Sequence, residues 1–326
     1  MSKNSDVIIL TPTFDDWDSV FELLAQLDGV LKKDGRKASV VVVDDGSPVF
    51  ADSLDFSGFK FSAISDVEII TLTRNIGNQR ALSVGIGYIA ENRTCQTLVI
   101  MDSDLEDQPK YVPQLIAESR KTENEIVFAE RTRRSEGTTF RIFYSIYKSL
   151  YKALTGMPIS IGNFSAVPGR LVKRIANISE IWSHFPAGIM RARVPFRAIP
   201  ATRGQRIKGE SKMNLVALVV HGLSGFTVHA DIVGVRILLA TLGMGTAILA
   251  VLFLVIAKRF VFDFFVIGWT SLVIIILGIA VIQAFMAAVF LAFLILSGKN
   301  QRVIIPGIDF TKYILETSRV YPQPKS

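Results

Sequence analysis

Four carboxylates fall within six residues in the run Met101-Asp102-Ser103-Asp104-Leu105-Glu106-Asp107-Gln108-Pro109, directly after an apolar segment. Asp102 and Asp104 are two apart, so in extended backbone their side chains share a face. Two carboxylates held together repel unless a cation lies between them. All-oxygen ligands suit Mg²⁺ or Mn²⁺, and Mg²⁺ commonly takes one or two carboxylates plus substrate phosphates. The spacing therefore predicts a divalent-metal, phosphate-handling site at Asp102 and Asp104. The competing reading is a solvated helix start, with Asp107 as its cap beside Pro109. A second acidic pair, Asp44-Asp45, also closes an apolar run, which favours the site.

These residues need a frame. Five short apolar runs recur: Val7–Leu10, Val40–Val43, Glu68–Leu72, Leu98–Met101 and Ile126–Phe128. Continuous Val/Ile/Leu runs read as strands buried on both faces of a parallel sheet. Helical patterns separate them. Val20, Leu23, Leu24, Leu27, Val30 and Leu31 follow the spacing of one helix face, and Gln79–Ala90 and Tyr111–Ser119 are further helices. Alternating strands and helices predict an α/β domain with right-handed crossovers. Ligands of such sheets bind outside the carboxyl ends of the strands, where Asp44, Asp45, Arg74, Asp102, Asp104 and Arg131 fall.

Other phosphate chemistries are excluded by what is missing. Gly204–Ser211 lacks the lysine of a nucleotide-binding P-loop, and Gly85-Ile86-Gly87-Tyr88-Ile89-Ala90 lies inside a helix, where its glycines read as packing. The single cysteine, Cys95, excludes an intrachain disulfide and a cysteine-built zinc site. The three histidines are dispersed, so a histidine-built metal centre is not expected.

The chain of 326 residues is half hydrophobic, with mean hydropathy +0.39 and net charge +7. That is too apolar for an ordinary soluble enzyme. The charge is segregated. Residues 1–130 carry 12 basic and 22 acidic side chains, residues 131–212 carry 16 and 3, and residues 213–326 carry 8 and 4. An acidic first part offers cation sites, and a strongly basic middle calls for phosphates. Ile237–Ala257 and Phe264–Gly298 hold 21 and 35 residues without a charge, and about 20 suffice to span a bilayer. Joined by the short Lys258–Asp263 linker, they predict an antiparallel transmembrane hairpin. The first ten residues contain only a four-residue apolar run, so a signal peptide is not expected and residues 1–230 are placed in the cytoplasm. Gln283 is expected to join helices or protomers by hydrogen bonds, and Gly243 and Gly245 to permit close helix approach.

Thr11-Pro12-Thr13, Val43-Asp44-Asp45-Gly46-Ser47, Arg74-Asn75-Ile76-Gly77 and Met101-Asp102-Ser103-Asp104 resemble, in this order, the signatures of family 2 glycosyltransferases of the GT-A fold. Gly162-Asn163-Phe164 and Arg203–Lys212, followed by two C-terminal spans, are similar to the polyisoprenyl-phosphate glycosyltransferases. These include dolichyl-phosphate mannose synthases and bacterial undecaprenyl-phosphate glucosyltransferases. The resemblance implies a Rossmann-like, mostly parallel GT-A domain. It also implies transfer of a sugar from a nucleotide diphosphate, UDP favoured, to a polyprenyl phosphate. By the same resemblance Pro12, Thr13, Asp44, Asp45 and Arg74 line the nucleotide pocket, and Asp102, Asp104 and Glu106 hold Mg²⁺ or Mn²⁺ with the diphosphate. Arg131 and Arg141 grip the lipid phosphate, and Arg206, Ser211 and Lys212 reach the phosphates from the other side. The relatives imply a homo-oligomer, a tetramer among the options, in the inner membrane with a cytoplasmic catalytic domain. No nucleic-acid partner is expected. Many relatives have Gly-Asp-Phe where this chain has Gly162-Asn163-Phe164. Asn163 cannot act as a base, and a phosphate acceptor, with second pKa about 6, does not require one. Asn163 is therefore read as a hydrogen-bonding residue of the catalytic set.

The expected layout is a glycosyltransferase domain over 1–212, an interfacial segment over 213–230, a hairpin over 231–298 with helices near 235–257 and 265–297, and a cytoplasmic tail over 299–326. Phe140–Leu154 carries one apolar stripe interleaved with Arg141, Lys148 and Lys152, which suits a helix in the headgroup layer. Leu215–Phe226 is a weaker candidate of that kind. Arg191, Arg193 and Arg197 alternate and read as a strand with one basic face, and Arg203–Lys212 reads as a loop that closes over the donor. The alternatives are a glycosyltransferase with another lipid or glycan acceptor, and a non-catalytic membrane scaffold.

Overall fold

The computed structural model describes residues 3–49, 54–56, 58–131, 138–157, 161–202, 204, 225–261, 269–299 and 303–322. All five apolar runs become strands: β1 (Lys3–Thr13), β2 (Ala38–Asp44), β3 (Ile64–Leu72), β4 (Arg93–Ile100) and β5 (Ile126–Arg131). Three more complete one eight-stranded sheet: β6 (Ile161–Pro168), β7 (Phe196–Ala201) and β8 (Ile314–Tyr321), in the order β7-β5-β6-β4-β1-β2-β3-β8. Strands β3, β2, β1 and β4 are parallel neighbours. β6 runs antiparallel to both β4 and β5, and β7 is parallel to β5. The chain walks from β1 outward through β2 to β3, then returns to β4 on the other flank of β1. That reversal is the topological switch point at which open α/β sheets bind ligands.

The strands are buried on both faces because helices cover both. Helix α1 (Trp17–Asp34) turns Val20, Leu23, Leu24, Leu27 and Leu31 onto Val7, Ile9, Val40 and Val42, all fully buried. Each such side chain contributes about 1.5–3 kcal/mol by leaving water. Gly35, at φ 73°, ends the helix and returns its N–H to the carbonyls of Leu31 and Lys32. On the opposite face, helix α2 (Asn78–Asn92) approaches so closely that a Cβ on Gly85 would lie 2.6 Å from Leu10 Cδ1 and 2.8 Å from Val43 Cγ2. The Gly85 and Gly87 pair is therefore a packing device, as its place inside a helix predicts. Helix α3 (Val112–Ser119) follows a short 3₁₀ turn at Pro109–Tyr111. Helices α4 (Thr138–Thr155), α5 (Gly169–Ala176) and α6 (Phe185–Arg191) follow in turn.

The arginine alternation is not a strand. Pro186 sits in the first turn of α6, and the His184 side chain accepts the Ala187 N–H, so a helix starts there and Arg191 closes it. Arg193 occupies a turn at φ 51°, and β7 begins only at Phe196. Acidic neighbours answer these charges: Arg191 bonds Glu180 at 3.1 Å, and Arg197 meets Glu118 at 3.0 Å.

The tail supplies β8, which pairs antiparallel with β3. It arrives by way of the short helix α9 (Pro306–Asp309, numbered after the two helices described next). Gly87 of α2 makes room for it, since a Cβ there would press on the Pro306 carbonyl and on Phe310.

Residues 144–158 and 229–302 form a second compact unit. It holds α7 (Ala230–Val261) and α8 (Trp269–Lys299). Their segments Ala230–Lys258 and Ser271–Leu294, of mean hydropathy 2.5 and 2.8, are long and apolar enough to cross a membrane. The two helices pack through small residues: Ala284 and Ala288 are buried, and a Cβ on Gly245 would lie 3.7 Å from that of Ala284. Gly243 has open space beside it, and Gln283 is exposed on α8. Tyr151 of the predicted headgroup stripe is fully buried against His229, while Leu150 is exposed. Residues 215–224 of the second amphipathic candidate lie outside the described residues.

Replacing Gly87 with Ala should cost about 1–3 kcal/mol by overpacking, and it should loosen the tail selectively. The expected result is a lower Tm with faster hydrogen exchange over residues 306–321. Unchanged exchange there would show that the α2 contact does not seat β8.

Candidate functional site

The site is built at the carboxyl ends of β1, β2 and β4. Thr13 and Asp44 are register partners across β1 and β2. The Asp45 N–H continues that ladder to the Thr13 carbonyl at 2.8 Å, and the Met101 N–H reaches the Leu10 carbonyl at 3.1 Å. Pro12 and Thr13 are buried. Asp44 is fully buried; its Oδ1 accepts from the Ser47 N–H at 3.0 Å and from the Ser47 hydroxyl. Its Oδ2 and the Thr13 hydroxyl have no hydrogen-bond partner among the described residues. Burial, opposed by the Ser47 hydrogen bonds and reinforced by the charge of Asp15, holds the Asp44 carboxyl above the usual carboxylate range. A buried acceptor and a buried hydroxyl without partners are open hydrogen-bonding demands.

Asp45 serves the chain itself. Its Oδ1 accepts the Ile76 N–H and its Oδ2 the Gly77 N–H, both at 2.8 Å. This fixes the turn that carries Arg74 and opens α2. Gly46, at φ 72°, fits beneath that turn: a Cβ would lie 2.6 Å from the Arg74 carbonyl carbon and 2.7 Å from the Asn75 nitrogen. The aspartate that the resemblance assigns to the nucleotide thus also holds the turn presenting the exposed Arg74.

The loop after β4 is held from several sides. The Asp102 N–H donates to Asp107 Oδ2 at 3.0 Å, and the Glu106 N–H donates to Asp104 Oδ1 at 3.1 Å. Asp107 is buried inside the loop, while the cap position of the Pro109 turn falls to Gln108. Asp102 and Asp104 are half-buried. Asp102 Oδ1 receives two side-chain amides, Asn78 Nδ2 and Asn163 Nδ2, each at 3.4 Å. Asn163, on β6, accepts in turn from Gln79 Nε2 at 3.1 Å. Leu105 takes φ 66°, a strained conformation for a branched residue. Beyond β7 the chain is tied to this loop: the Gly204 N–H donates to the Glu106 carbonyl at 2.8 Å, Gln108 Nε2 to the Thr202 carbonyl at 2.9 Å, and the Tyr111 and Thr202 hydroxyls meet at 2.7 Å. The basic segment that follows is thereby anchored at its start against the acidic loop.

Among the described residues no three His, Cys, Asp or Glu side chains form a ready-made metal cage, so Glu106 is not gathered with Asp102 and Asp104 into one. Asp102 and Asp104 carry oxygen donors of the kind a hard cation takes, and such a cation commonly draws further oxygens from substrate phosphates. Arg131 ends β5 and Arg141 lies on α4; their side chains lie outside the described residues, as do Arg206, Ser211 and Lys212 altogether. Asn78 and Gln79 were not singled out from the sequence. Two consecutive amides open α2 directly after a strand-end loop, but nothing in the local sequence marks them as site residues.

Comparison with known proteins bears on this arrangement. The family model described as glycosyl transferase family 2 matches residues 8–177, more than half of the chain. An uncharacterized glycosyltransferase, YkcC, of Bacillus subtilis is 26% identical over 289 residues, 84% of each chain. The undecaprenyl-phosphate 4-deoxy-4-formamido-L-arabinose transferase of Klebsiella pneumoniae is 23% identical over 65% of this chain and 64% of its own. The dodecaprenyl-phosphate galacturonate synthase of Rhizobium johnstonii is 25% identical over 82% of this chain and 79% of its own.

Burial pushes the Asp45 carboxyl up to about 6 from 3.8, against the pull of the Ile76 and Gly77 N–H groups; Asp44 raises it and Arg74 lowers it. A carboxyl whose folded pKa lies above its unfolded value binds its proton more tightly in the fold. Its contribution to stability is therefore fully present below about pH 4 and lost as pH rises through about 6. The Tm of the native chain minus that of Asp45→Asn should fall between pH 4 and 6.5 and stay flat to pH 8. A difference that grows over that window would contradict this environment for Asp45.

Proposed function

The chain belongs to glycosyl transferase family 2, and on that footing we propose that it moves a sugar from a nucleoside diphosphate, UDP first among the donors, to a polyprenyl phosphate at the inner membrane. One observation carries the reading: Asp102 and Asp104 stand at the end of β4, beside β1 where the strand order reverses, in a chain that also holds two helices of membrane-spanning length. The names of the two polyprenyl-phosphate relatives support the acceptor class. The topology supports a hairpin. Residues before and after the apolar helices share one sheet, through β3 and β8, which supports an even number of membrane crossings.

The chemistry then follows from charge. The acceptor phosphate, with second pKa about 6, is already a nucleophile near neutral pH. One bond forms, between its oxygen and the anomeric carbon, and one breaks, between that carbon and the donor diphosphate, with inversion. No proton has to be removed, so the residue on β6 can be an amide. What the protein must do is bring two anions together and stabilise the leaving diphosphate, which is electrostatic and positional catalysis. Asp102 and Asp104 would hold Mg²⁺ or Mn²⁺, which would supply Lewis-acid neutralisation of the leaving group. Thr13, Asp44 and Arg74 take the nucleotide. Arg131 and Arg141 hold the lipid phosphate, while Arg206, Ser211 and Lys212 close on the donor from beyond Gly204.

Membranes containing the chain, supplied with a panel of radiolabelled nucleotide sugars and polyprenyl phosphate, should give a lipid-linked product with one donor only, and only with divalent metal. Asp104→Asn should lower turnover at least 100-fold, and unchanged product would remove the metal reading. Asn163→Asp should lower the rate as well, because it faces a second carboxylate toward Asp102. A gain of orders of magnitude would instead mark position 163 as a base.

A further inference from the structure

Gln79 stands one residue inside α2, half-buried, and its two amide atoms face different partners. Its Oε1 accepts the Phe185 N–H at 2.7 Å, at the first turn of α6. Its Nε2 donates to Asn163 Oδ1 at 3.1 Å, and Asn163 Nδ2 points to Asp102 Oδ1 at 3.4 Å. Side-chain amides are ambiguous by themselves, but both ends of this chain are not. A backbone N–H can only donate, and an ionised carboxylate can only accept. The whole relay, Phe185 N–H to Gln79 to Asn163 to Asp102, therefore has one permitted direction.

From this we propose that Gln79 is a positioning residue for transfer. It acts through Asn163, locking that amide with its NH₂ group toward Asp102, so that Asp102 is held by Asn163 from β6 and by Asn78 from α2. The proposal rests on the reading of Asp102 as the diphosphate-side carboxylate. It also accounts for the amide at position 163. Gln79 demands an acceptor there and Asp102 demands a donor; an amide offers both, and an ionised carboxylate at that position offers no donor. Without the Gln79 donor, the Asn163 amide is free to turn its oxygen to Asp102, which opposes two acceptors and misplaces the carboxylate. The Asn163 backbone would stay in place, since its carbonyl accepts from the Ser165 hydroxyl at 2.9 Å and β6 is paired on both sides.

The test uses full-length protein in lipid nanodiscs with ¹⁵N-labelled asparagine, the Asn163 side-chain signal being identified by its loss in Asn163→Ala. In Gln79→Glu the introduced carboxylate keeps the Phe185 bond but cannot donate. At pH 8 the Asn163 amide signal should shift and kcat should fall about tenfold, with donor KM changed less than twofold. Lowering the pH until the introduced carboxyl protonates restores a donor, and both signal and relative kcat should then move back toward native values. Gln79→Met, with no donor at any pH, should show the same losses without recovery, and should cost nothing further in an Asn163→Ala background. An Asn163 signal unmoved in both variants would overturn the proposal, as would losses in Gln79→Met that add in full to those of Asn163→Ala. If the native chain transfers no sugar from any donor, the functional reading fails by itself, and the amide signal still decides the role of Gln79.

Discussion

Carboxylates crowded at the ends of buried parallel strands set the terms for this protein. Strand ends of a doubly covered sheet lie away from bulk water, and an ionised group there must be answered by donors. Each aspartate has a different answer. Asp45 takes two backbone N–H groups from the next strand-end loop. Asp107 takes the N–H of Asp102, and Asp102 takes two side-chain amides. Asp44 keeps one oxygen for Ser47 and leaves the other unanswered among the described residues. Asp45 and Asp107 thereby build the loops, while Asp44 keeps one buried oxygen without a partner among the described residues.

Close backbone approach makes those answers possible. Gly46 lets the turn bearing Arg74 lie directly on the turn after β2, which is what brings Ile76 and Gly77 to Asp45. The tail takes part in the same region: the Thr73 N–H donates to the Tyr313 carbonyl at 2.9 Å, and the Tyr313 ring packs on Trp182 at 4.8 Å. The segment that follows the apolar helices is therefore part of the frame of the site. Chain order separates it from Arg74 by more than two hundred residues, and β8 brings it back.

For a glycosyltransferase acting on a lipid phosphate, this division of labour has a physical logic. Two anions must meet while one departs, and little proton chemistry is required. The acidic first part holds the strand-end carboxylates, and the sequence turns strongly basic over residues 131–212. The same chain holds two helices long and apolar enough to cross a membrane.

The α/β class, the five core strands, their order along the chain and the membrane-length helices were legible in the sequence, because burial on two faces and bilayer thickness impose periodicities that a local window can read. The acidic motif after β4 was legible for the same reason, since strand ends are punctuated by polar residues. Contacts between distant segments were not. Nothing local distinguishes Gln79 from any helix-surface amide, or tells Arg191 at a helix end from Arg197 on a strand. Nor does the sequence of residues 314–321 say that they pair with β3. Those outcomes depend on which groups the sheet topology makes neighbours, and a hydrogen bond carries no trace in a sequence separation of 84 or 106 residues.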